Sequence, residues 1–311
     1  MGALAALKIF KRETLVKGQP AQLACVEILG QTYSISRGAA TVISLEDEWY
    51  DDVRDPAAVI EALSNDSSVK ADIFTFWQRV PDVTPKHRFH MELESVAALP
   101  ITTYDHWFSK QISSRTRNLI RKSQKEGIEV RECAYDDKFV KGMTEIFNEA
   151  PVRQGRRFWH YGKDFETVKR QFSAYLFREV MIGAYLGDEL IGFIMLGNAG
   201  KYGITGQIIS KIKHRDKATN NVLIAKAVEV CQKKGLPHLV YLYWTNDSLA
   251  EFKRRCGFLE TKVPRYFVPL SQKGKLTLKA GLHRGWKAAL PDRIKTPLKK
   301  LRRFWYGLKE A

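Results

Sequence analysis

The order of periodic segments between residues 128 and 270 constrains the fold of this 311-residue chain more than any other feature. "IEVRECA" alternates like a strand, and residues 139–147 and 165–176 each carry an apolar helical stripe, the second with Asp164 as its N-cap. Two strands joined at Gly187-Asp188 follow, and then the strand "YGITGQIIS" and a helix that is capped by Thr219 or Asn220 and ended by Gly235. The apolar strand "HLVYLY", a helix ended by Gly257, and the strands "FLETK" and "RYFVPL" complete the order. This β-α-α-β-β-β-α-β-α-β-β order predicts an α/β (α+β) fold with a mixed central sheet flanked by helices.

The segment before residue 128 predicts a separate unit and a linking helix. "ACVEILGQTYSI" and "ADIFTFWQRVP" have strand composition, and "DPAAVIEALSN" predicts a short helix with Asp55 as N-cap. "SSRTRNLIRKSQKEG" predicts a helix from Ser113 or Ser114 to a C′ glycine at position 127, with a basic stripe that is either a solvated face or a phosphate-binding surface. We therefore divide the chain into 1–110, 111–127, 128–272 and 273–311.

Charge and cysteine usage restrict the partners and the compartment. Lys+Arg number 51 and Asp+Glu 34, so the net charge of +17 predicts attraction to nucleic acid, nucleotides, anionic lipid or phosphorylated glycan, unless the basic surface has no specific partner. The four cysteines form no C-x-x-C pair and have no histidine at metal-ligand spacing, so we expect buried free thiols, no metal and a cytoplasmic location. No run approaches the roughly 20 apolar residues of a membrane span.

Two short motifs in the second half resemble those of the GNAT acyltransferases. "NDSLAEFKRRCGF" matches their signature at Asn246, Gly257 and Phe258, with Lys253 at the tyrosine position. "RDKATN" aligns with the R-x-x-G-x-G loop that binds the coenzyme A pyrophosphate, with Ala218 and Asn220 in place of the two glycines. The resemblance implies acetyl-CoA or another acyl-CoA as co-substrate. The residues that it assigns to this donor are Arg215, Ala218, Thr219, Asn220, Asn221 and Asn246.

The linking helix narrows the resemblance to the FemAB-like branch of that superfamily. It carries the R-x-x-I-R-K pattern at Arg117, Ile120, Arg121 and Lys122, between a mixed N-terminal segment and the GNAT-like segment. FemAB-like proteins contain two GNAT-like units, of which the first is degenerate. They transfer an aminoacyl or acyl group to an amine, often on a cell-envelope precursor, so aminoacyl-tRNA is the alternative donor.

The resemblance also implies catalytic positions. Gln207 lies where GNAT proteins often place a general base, although an amide orients water or the amine and takes no proton. Tyr241 and Tyr243 alternate on one strand and should face the same side, with Tyr243 near the cleft. Lys253 either protonates or electrostatically stabilises the leaving thiolate, or is a solvent-facing lysine within "KRR".

The loop "APVRQGRRFWHYGKD" between the first two helices has too many cationic and aromatic side chains for an ordinary connection. In a GNAT unit this loop forms the acceptor side of the cleft, and His160 would take a proton from the amine near neutral pH. Alternatively, its aromatic residues fix the loop to the core and its arginines are solvated. The predicted acceptor-binding residues are Arg153, Gln154, Arg156, Trp159 and Tyr161.

The C-terminal residues 273–311 predict a basic amphipathic helix. Leu298, Leu301, Trp305 and Leu308 form an apolar stripe with basic neighbours, which fits either an anionic membrane surface at the inner face of the membrane or docking on the protein body. The leading hypothesis is an N-acyltransferase that acts on an amine of a glycan or envelope precursor. The alternatives are an aminoacyl-tRNA-dependent transferase and a non-catalytic RNA- or membrane-binding module.

Overall fold

The computed structural model describes residues 7–284 except 17–18, 175 and 246–247. The predicted tail helix and Asn246 lie outside the described residues. The elements before the linking helix are β1 (Ile9–Val16), β2 (Gln19–Ile28), β3 (Gln31–Arg37), β4 (Thr41–Leu45), α1 (Pro56–Asn65), β5 (Ile73–Trp77) and β6 (His90–Pro100). A short helix α2 (Tyr104–His106), a π-helical turn (Trp107–Gln111) and the linking helix α3 (Ser114–Lys125) follow.

The remaining elements follow the predicted order up to the last strand, with two differences, and the helix after that strand lies almost wholly within the residues predicted as the C-terminal tail. They are β7 (Ile128–Cys133), α4 (Asp137–Phe147), β8 (Val152–Arg153), β9 (Arg156–Arg157), α5 (Phe165–Phe172), β10 (Glu179–Leu186), β11 (Glu189–Asn198), β12 (Gly203–Ser210), α6 (Thr219–Lys233), β13 (His238–Tyr243), α7 (Ser248–Arg255), β14 (Leu259–Pro269) and α8 (Gln272–Lys279). The loop after α4 forms a small hairpin, β8–β9. The two predicted C-terminal strands are one continuous strand, β14, so that prediction was wrong.

All strands except β8 and β9 form one 12-stranded sheet in the order β1-β2-β3-β4-β5-β14-β6-β13-β12-β11-β10-β7. The order is symmetric about its centre, because the parallel pair β4–β5 with its crossover helix α1 corresponds to the parallel pair β12–β13 with α6. Between these pairs, β14 lies beside β5 and β6 lies beside β13. Each half of the chain therefore gives its last strand to the other half.

Because of this exchange, neither half of the sheet is formed by one continuous stretch of the chain. We call β1–β5 with β14 the first unit, and β7 and β10–β13 with β6 the second unit. The predicted ranges 1–110 and 128–272 follow the order of the chain, whereas the sheet exchanges β6 and β14 between them. Long-range pairing of this kind leaves no mark in local periodicity.

Local capping follows the sequence at three helices and departs from it at a fourth. The side chains of Asp55, Ser113 and Asp164 each accept a backbone N–H at the start of their helix, as predicted. Helix α6 instead begins at Thr219 directly after Ala218, which has a φ of +53° and provides no side-chain cap. The prediction that Thr219 or Asn220 caps α6 was therefore wrong. The Asn221 N–H donates to the Ala218 carbonyl at 2.9 Å, whereas the N–H groups of Thr219 and Asn220 remain available to a ligand.

Both faces of the second unit's sheet are covered. One core contains Trp107, Leu223 and Val228 between the sheet and α6. On the opposite face, Phe147, Val168 and Phe193 form the core beneath α4 and α5.

Candidate functional site

The site begins where β12 and β13 separate. The two parallel strands pair only through Gly203–Leu239 and Ile204–Val240, although β12 continues to Ser210 and β13 to Tyr243. On its other side, β12 has a bulge at Gly206, since Leu196 pairs with Thr205 and Met195 with Gln207. Beyond Ile204 and Val240 the two strands are unpaired, and we call the space between these unpaired ends, which begins beside the bulge at Gly206, the slot.

Strand β13 also has an irregularity. Leu242 has a φ of +47°, and the pairing with β6 shifts between Val240 and Tyr243. Tyr241 packs against Phe258, whereas the Tyr243 ring lies 5.1 Å from Trp49 on the opposite face. The expectation that the two tyrosines face the same side was therefore wrong, because a bulge reverses the alternation of a strand.

Lys253, at the position of the GNAT tyrosine, is buried against this bulge. Its side chain is 1 % exposed, and its Nζ donates to the carbonyl oxygens of Tyr241 and Tyr243, both at 2.7 Å. Thus the alternative of a solvent-facing lysine was wrong. The ammonium satisfies carbonyl groups that the irregular strand does not pair, and its catalytic role stays a prediction.

The loop from β12 to α6 has the features of an anion site. The side-chain oxygens Thr219 Oγ1 and Asn220 Oδ1 are buried and have no hydrogen-bond partner among the described residues. Ala218 holds the left-handed conformation that a glycine favours, Arg215 is exposed, and the Asn221 amide contacts Cys256 Sγ at 3.7 Å. A hydroxyl, a rotatable amide and the free N–H groups of a 15-residue helix fit a phosphate group.

The predicted donor loop and acceptor loop are joined by direct contacts. The Glu149 carboxylate accepts backbone N–H groups of Ile212 and Lys213 at 2.5 and 2.9 Å. Arg153 donates to the carbonyl oxygens of Ser210 and Ile146 at 2.8 and 2.7 Å. The two loops are therefore in direct contact, and the Arg153 guanidinium holds them together rather than extending into solvent.

The rest of the acceptor loop presents its side chains to solvent. Gln154, with a φ of +54°, and Gly155 form the turn of the β8–β9 hairpin. Arg156 and Arg157 are exposed, and the side chains of Trp159 and Tyr161 are about half exposed. Their predicted acceptor contacts remain predictions.

His160 is buried in an aromatic stack. Its ring is fully buried and lies 4.3 Å from the Phe147 ring at an interplanar angle of 12°. Burial, with the nearby charge of Lys163, lowers the pKa of His160 to about 3. A neutral ring with such a low pKa is a weak proton acceptor near neutral pH.

This buried histidine predicts a pH-dependent stability. The usual pKa of histidine is 6.5, so between pH 6.5 and about 3 the unfolded chain binds a proton that the folded protein does not, and stability falls as the pH falls. His160 should remove about 2 kcal/mol between pH 7 and pH 5. Urea unfolding of wild type and His160→Phe at both pH values measures this, and equal pH differences in the two proteins would contradict it.

Two residues that sequence reasoning missed lie beside the slot. Glu179 begins β10, and the Tyr50 hydroxyl donates to its Oε1 at 2.7 Å. Burial raises the pKa of Glu179, against the opposing effect of the Tyr50 hydrogen bond. Glu179 Oε2 is buried and has no partner among the described residues. Glu179 is the first residue of an otherwise apolar strand and belongs to no recognisable motif. Tyr50 lies 129 residues away in the sequence, so no local pattern connects the two residues.

A cavity of about 880 Å³ lies between the two units and reaches Glu179. Gln31 and Asp52 line it from the first unit, and Arg178, Asn198 and Lys201 line it from the second. Its walls are strongly polar and carry both signs of charge. The cavity therefore suits a polar, charged ligand rather than an apolar one.

The basic stripe of α3 is partly used within the protein. Arg117 donates to the carbonyl oxygens of Phe108, Ser109 and Ile112, and the Arg121 guanidinium lies 5.4 Å from the Phe108 ring centroid. Ser123 of the same helix bonds to the Lys217 carbonyl of the donor loop. The helix therefore holds the donor loop, and phosphate binding by its stripe stays a prediction.

Two further properties concern the described part of the chain as a whole. Within residues 7–284 and their stated gaps, no helix has the length and apolar character needed to cross a bilayer. The same residues contain no group of three or more His, Cys, Asp or Glu side chains arranged to hold a metal ion.

Comparison with known proteins identifies the fold. No family model matches the chain, and no curated protein matches it in sequence. The structure is similar to FemX, with 12% identity, coverage of 88% of this chain and 90% of that chain, and a TM-score of 0.55. It is also similar to the C-terminal DUF2156 domain assigned to a lysylphosphatidylglycerol synthetase of Agrobacterium fabrum, with 9% identity, coverage of 81% and 85%, and a TM-score of 0.53.

A third similar structure is a conserved protein of unknown function from Bacteroides thetaiotaomicron, with 8% identity, coverage of 80% and 86%, and a TM-score of 0.51. These matches extend over both units, as the exchanged strands require. The chain therefore shares the fold of FemX and of the synthetase domain.

Proposed function

We propose that the protein transfers an acyl or aminoacyl group from an activated donor to an amine. The observation that carries the proposal is the slot between β12 and β13, which opens beside an uncapped helix N-terminus with two buried, unpartnered oxygens. A donor that carries a phosphate group at α6 would place its reactive carbonyl in this slot. The similarity to FemX and to the synthetase domain supports group transfer of this kind.

For the donor we propose an acyl-CoA, with aminoacyl-tRNA as the second candidate. Thr219, Asn220 and Arg215 suit a pyrophosphate, and the brace between Glu149 and the donor loop fixes their position. The net charge of +17 favours tRNA, because polyphosphate chains bind basic surfaces by releasing counterions.

For the acceptor we propose an amine on a glycan or cell-envelope precursor. The exposed Arg156, Arg157, Trp159 and Tyr161 offer bidentate cations for phosphate or carboxylate groups, and aromatic faces for a sugar ring. Contact of the C-terminal tail with an anionic membrane belongs to the same proposal.

Donor binding tests the proposal directly. We expect calorimetry to detect binding of coenzyme A and acetyl-CoA, and Thr219→Val to weaken it by about tenfold through loss of one hydrogen bond to a charged group. Thr277→Val, which removes a buried hydroxyl within α8, is the matched control and should bind like wild type.

The donor class is decided by a parallel measurement. Tight, salt-sensitive binding of lysyl-tRNA without coenzyme A binding would favour the aminoacyl-tRNA donor. Binding of neither donor, or binding without turnover of either, would reject transferase activity and support the non-catalytic alternative.

A further inference from the structure

Glu179 reaches the slot from two strands away. Glu179 on β10 pairs with Gly197 of β11, and Gly197 pairs in turn with Ile204 of β12. Because Gly197 has no side chain, the space above it is filled by the Tyr50 hydroxyl, which would lie 2.6 Å from a Cβ atom there. Glu179 Oε1 lies 3.5 Å from the position of a Cβ atom on Gly206, so the carboxylate is above the bulge of β12.

The first unit holds this carboxylate in place. Residues 46–54 connect β4 to α1 and cross onto the second unit, where Tyr50 bonds to Glu179 and Trp49 contacts Tyr243. The same segment is fixed by the ion pairs Asp51–Arg178 and Asp52–Arg79, both at 2.9 Å. The position of Glu179 therefore depends on both units.

We propose that Glu179 is the general base of the transfer and that Tyr50 positions it. This inference rests on the proposed function and names the proton acceptor that Gln207, an amide, cannot be. Gln207 follows the bulge residue Gly206 directly, so the carboxylate reaches the place where the resemblance located a base, but from β10 instead of β12.

The chemistry balances with this assignment. The neutral amine attacks the donor carbonyl and forms the C–N bond, and its N–H proton passes to Glu179 Oε2. The intermediate then collapses and breaks the C–S bond of a thioester, or the C–O bond of an aminoacyl ester. Glu179 then gives this proton to the leaving sulfur or oxygen. Alternatively, the leaving group takes a proton from water, and Glu179 returns its proton to the solvent.

The cavity between the units gives the amine a route to Glu179. It is large enough for a polar substituent of the acceptor, and Glu179 lines it. Arg178, the cation adjacent in sequence, is paired with Asp51 and leaves the carboxylate free to accept a proton. A polar acceptor would thus enter with its charged groups in the cavity and its amine at Glu179.

The groups around Glu179 are Tyr50, the Arg178–Asp51 pair and Tyr135, which lines a smaller pocket together with Glu179. Burial raises the pKa of Glu179, against the lowering effect of the Tyr50 hydrogen bond. A carboxylate with a raised pKa is a stronger proton acceptor than an ordinary one.

The test measures transfer from acetyl-CoA, and in parallel from lysyl-tRNA, to hydroxylamine, a small amine that needs no fitted acceptor site. Glu179→Gln keeps the shape and the Tyr50 hydrogen bond, and is expected to lower kcat by about 100-fold or more with coenzyme A affinity unchanged. In Glu179→Gln the fall of kcat at low pH, which reports protonation of the base in the wild type, should be absent. Glu132→Gln, an exposed carboxylate on β7, should stay within about twofold of wild type.

Tyr50→Phe separates positioning from catalysis. It should lower kcat by about threefold to tenfold and move the fall of kcat at low pH to higher pH, because the lost hydrogen bond stabilised the carboxylate. Unaltered kcat and pH profile in Glu179→Gln, with a wild-type melting curve, would overturn the inference alone. The absence of wild-type transfer from either donor would instead overturn the proposed function.

Discussion

Arg265→Met is expected to lower the free energy of unfolding by about 4 kcal/mol, because it removes the cation that pairs with the carboxylates of Glu48 and Glu94. Arg265 on β14 donates two hydrogen bonds to Glu48, at 2.9 and 3.0 Å, and its Nε lies 2.9 Å from Glu94 Oε1. The side chains of Arg265 and Glu94 are 9% and 11% exposed, so little water can replace the lost cation. Burial lowers the pKa of Arg265, but the two carboxylates outweigh it and raise the pKa overall.

Urea unfolding with equal m-values measures this loss. Arg254→Met, at an exposed pair with Glu251, is the control and should cost less than about 1 kcal/mol. Adding Glu94→Gln to Arg265→Met should recover at least about 1 kcal/mol, because it removes a charge that has lost a partner. A single Arg265→Met variant within 1 kcal/mol of wild type would show that solvent reaches the network.

Lys253→Met should lower the free energy of unfolding by about 3 kcal/mol. The substitution keeps most of the apolar side chain but leaves the carbonyl oxygens of Tyr241 and Tyr243 without their donor in a buried place. Lys262→Met, at an exposed position of β14, is the matched control and should change stability by about 0.5 kcal/mol or less.

The same variant tests the catalytic prediction for Lys253. If the ammonium only holds β13, the transfer rate per folded molecule stays close to that of wild type once the folded fraction is measured. If its charge also stabilises the leaving thiolate, that rate falls as well. Unchanged stability in Lys253→Met would contradict the structural role that the two hydrogen bonds imply.

Local chemistry was enough to predict helix α1, helices α3 to α7 and most strands. The Ser113, Asp55 and Asp164 caps, the turn at Gly187 and the linking helix follow from side chains that act within a few residues. The element order then led to the fold, because few architectures accommodate a mixed sheet with that sequence of helices. The bulge at Leu242 was missed because a residue with a branched apolar side chain gives no sign of a positive φ.

The site was predictable only where its residues are neighbours in sequence. The donor loop was located through its resemblance to a GNAT motif and the acceptor loop through its composition, and the structure joins the two loops through Glu149 and Arg153. Glu179 and Tyr50 were not found, since their pairing depends on the first unit crossing onto the second. The burial of His160 was also missed, because its stacking partners come from α4 and α5 as well as from its own loop.

The exchange of β6 and β14 fixes the order in which the protein can be completed during synthesis. The first half leaves the ribosome with the facing edges of β5 and β6 unpaired, because β14, the strand that lies between them, follows the other strands of the second half in the chain. Exposed strand edges promote association with other chains, so this half needs protection until the C-terminal segment arrives. Translation of β14 is therefore the event that converts two unfinished sheets into one.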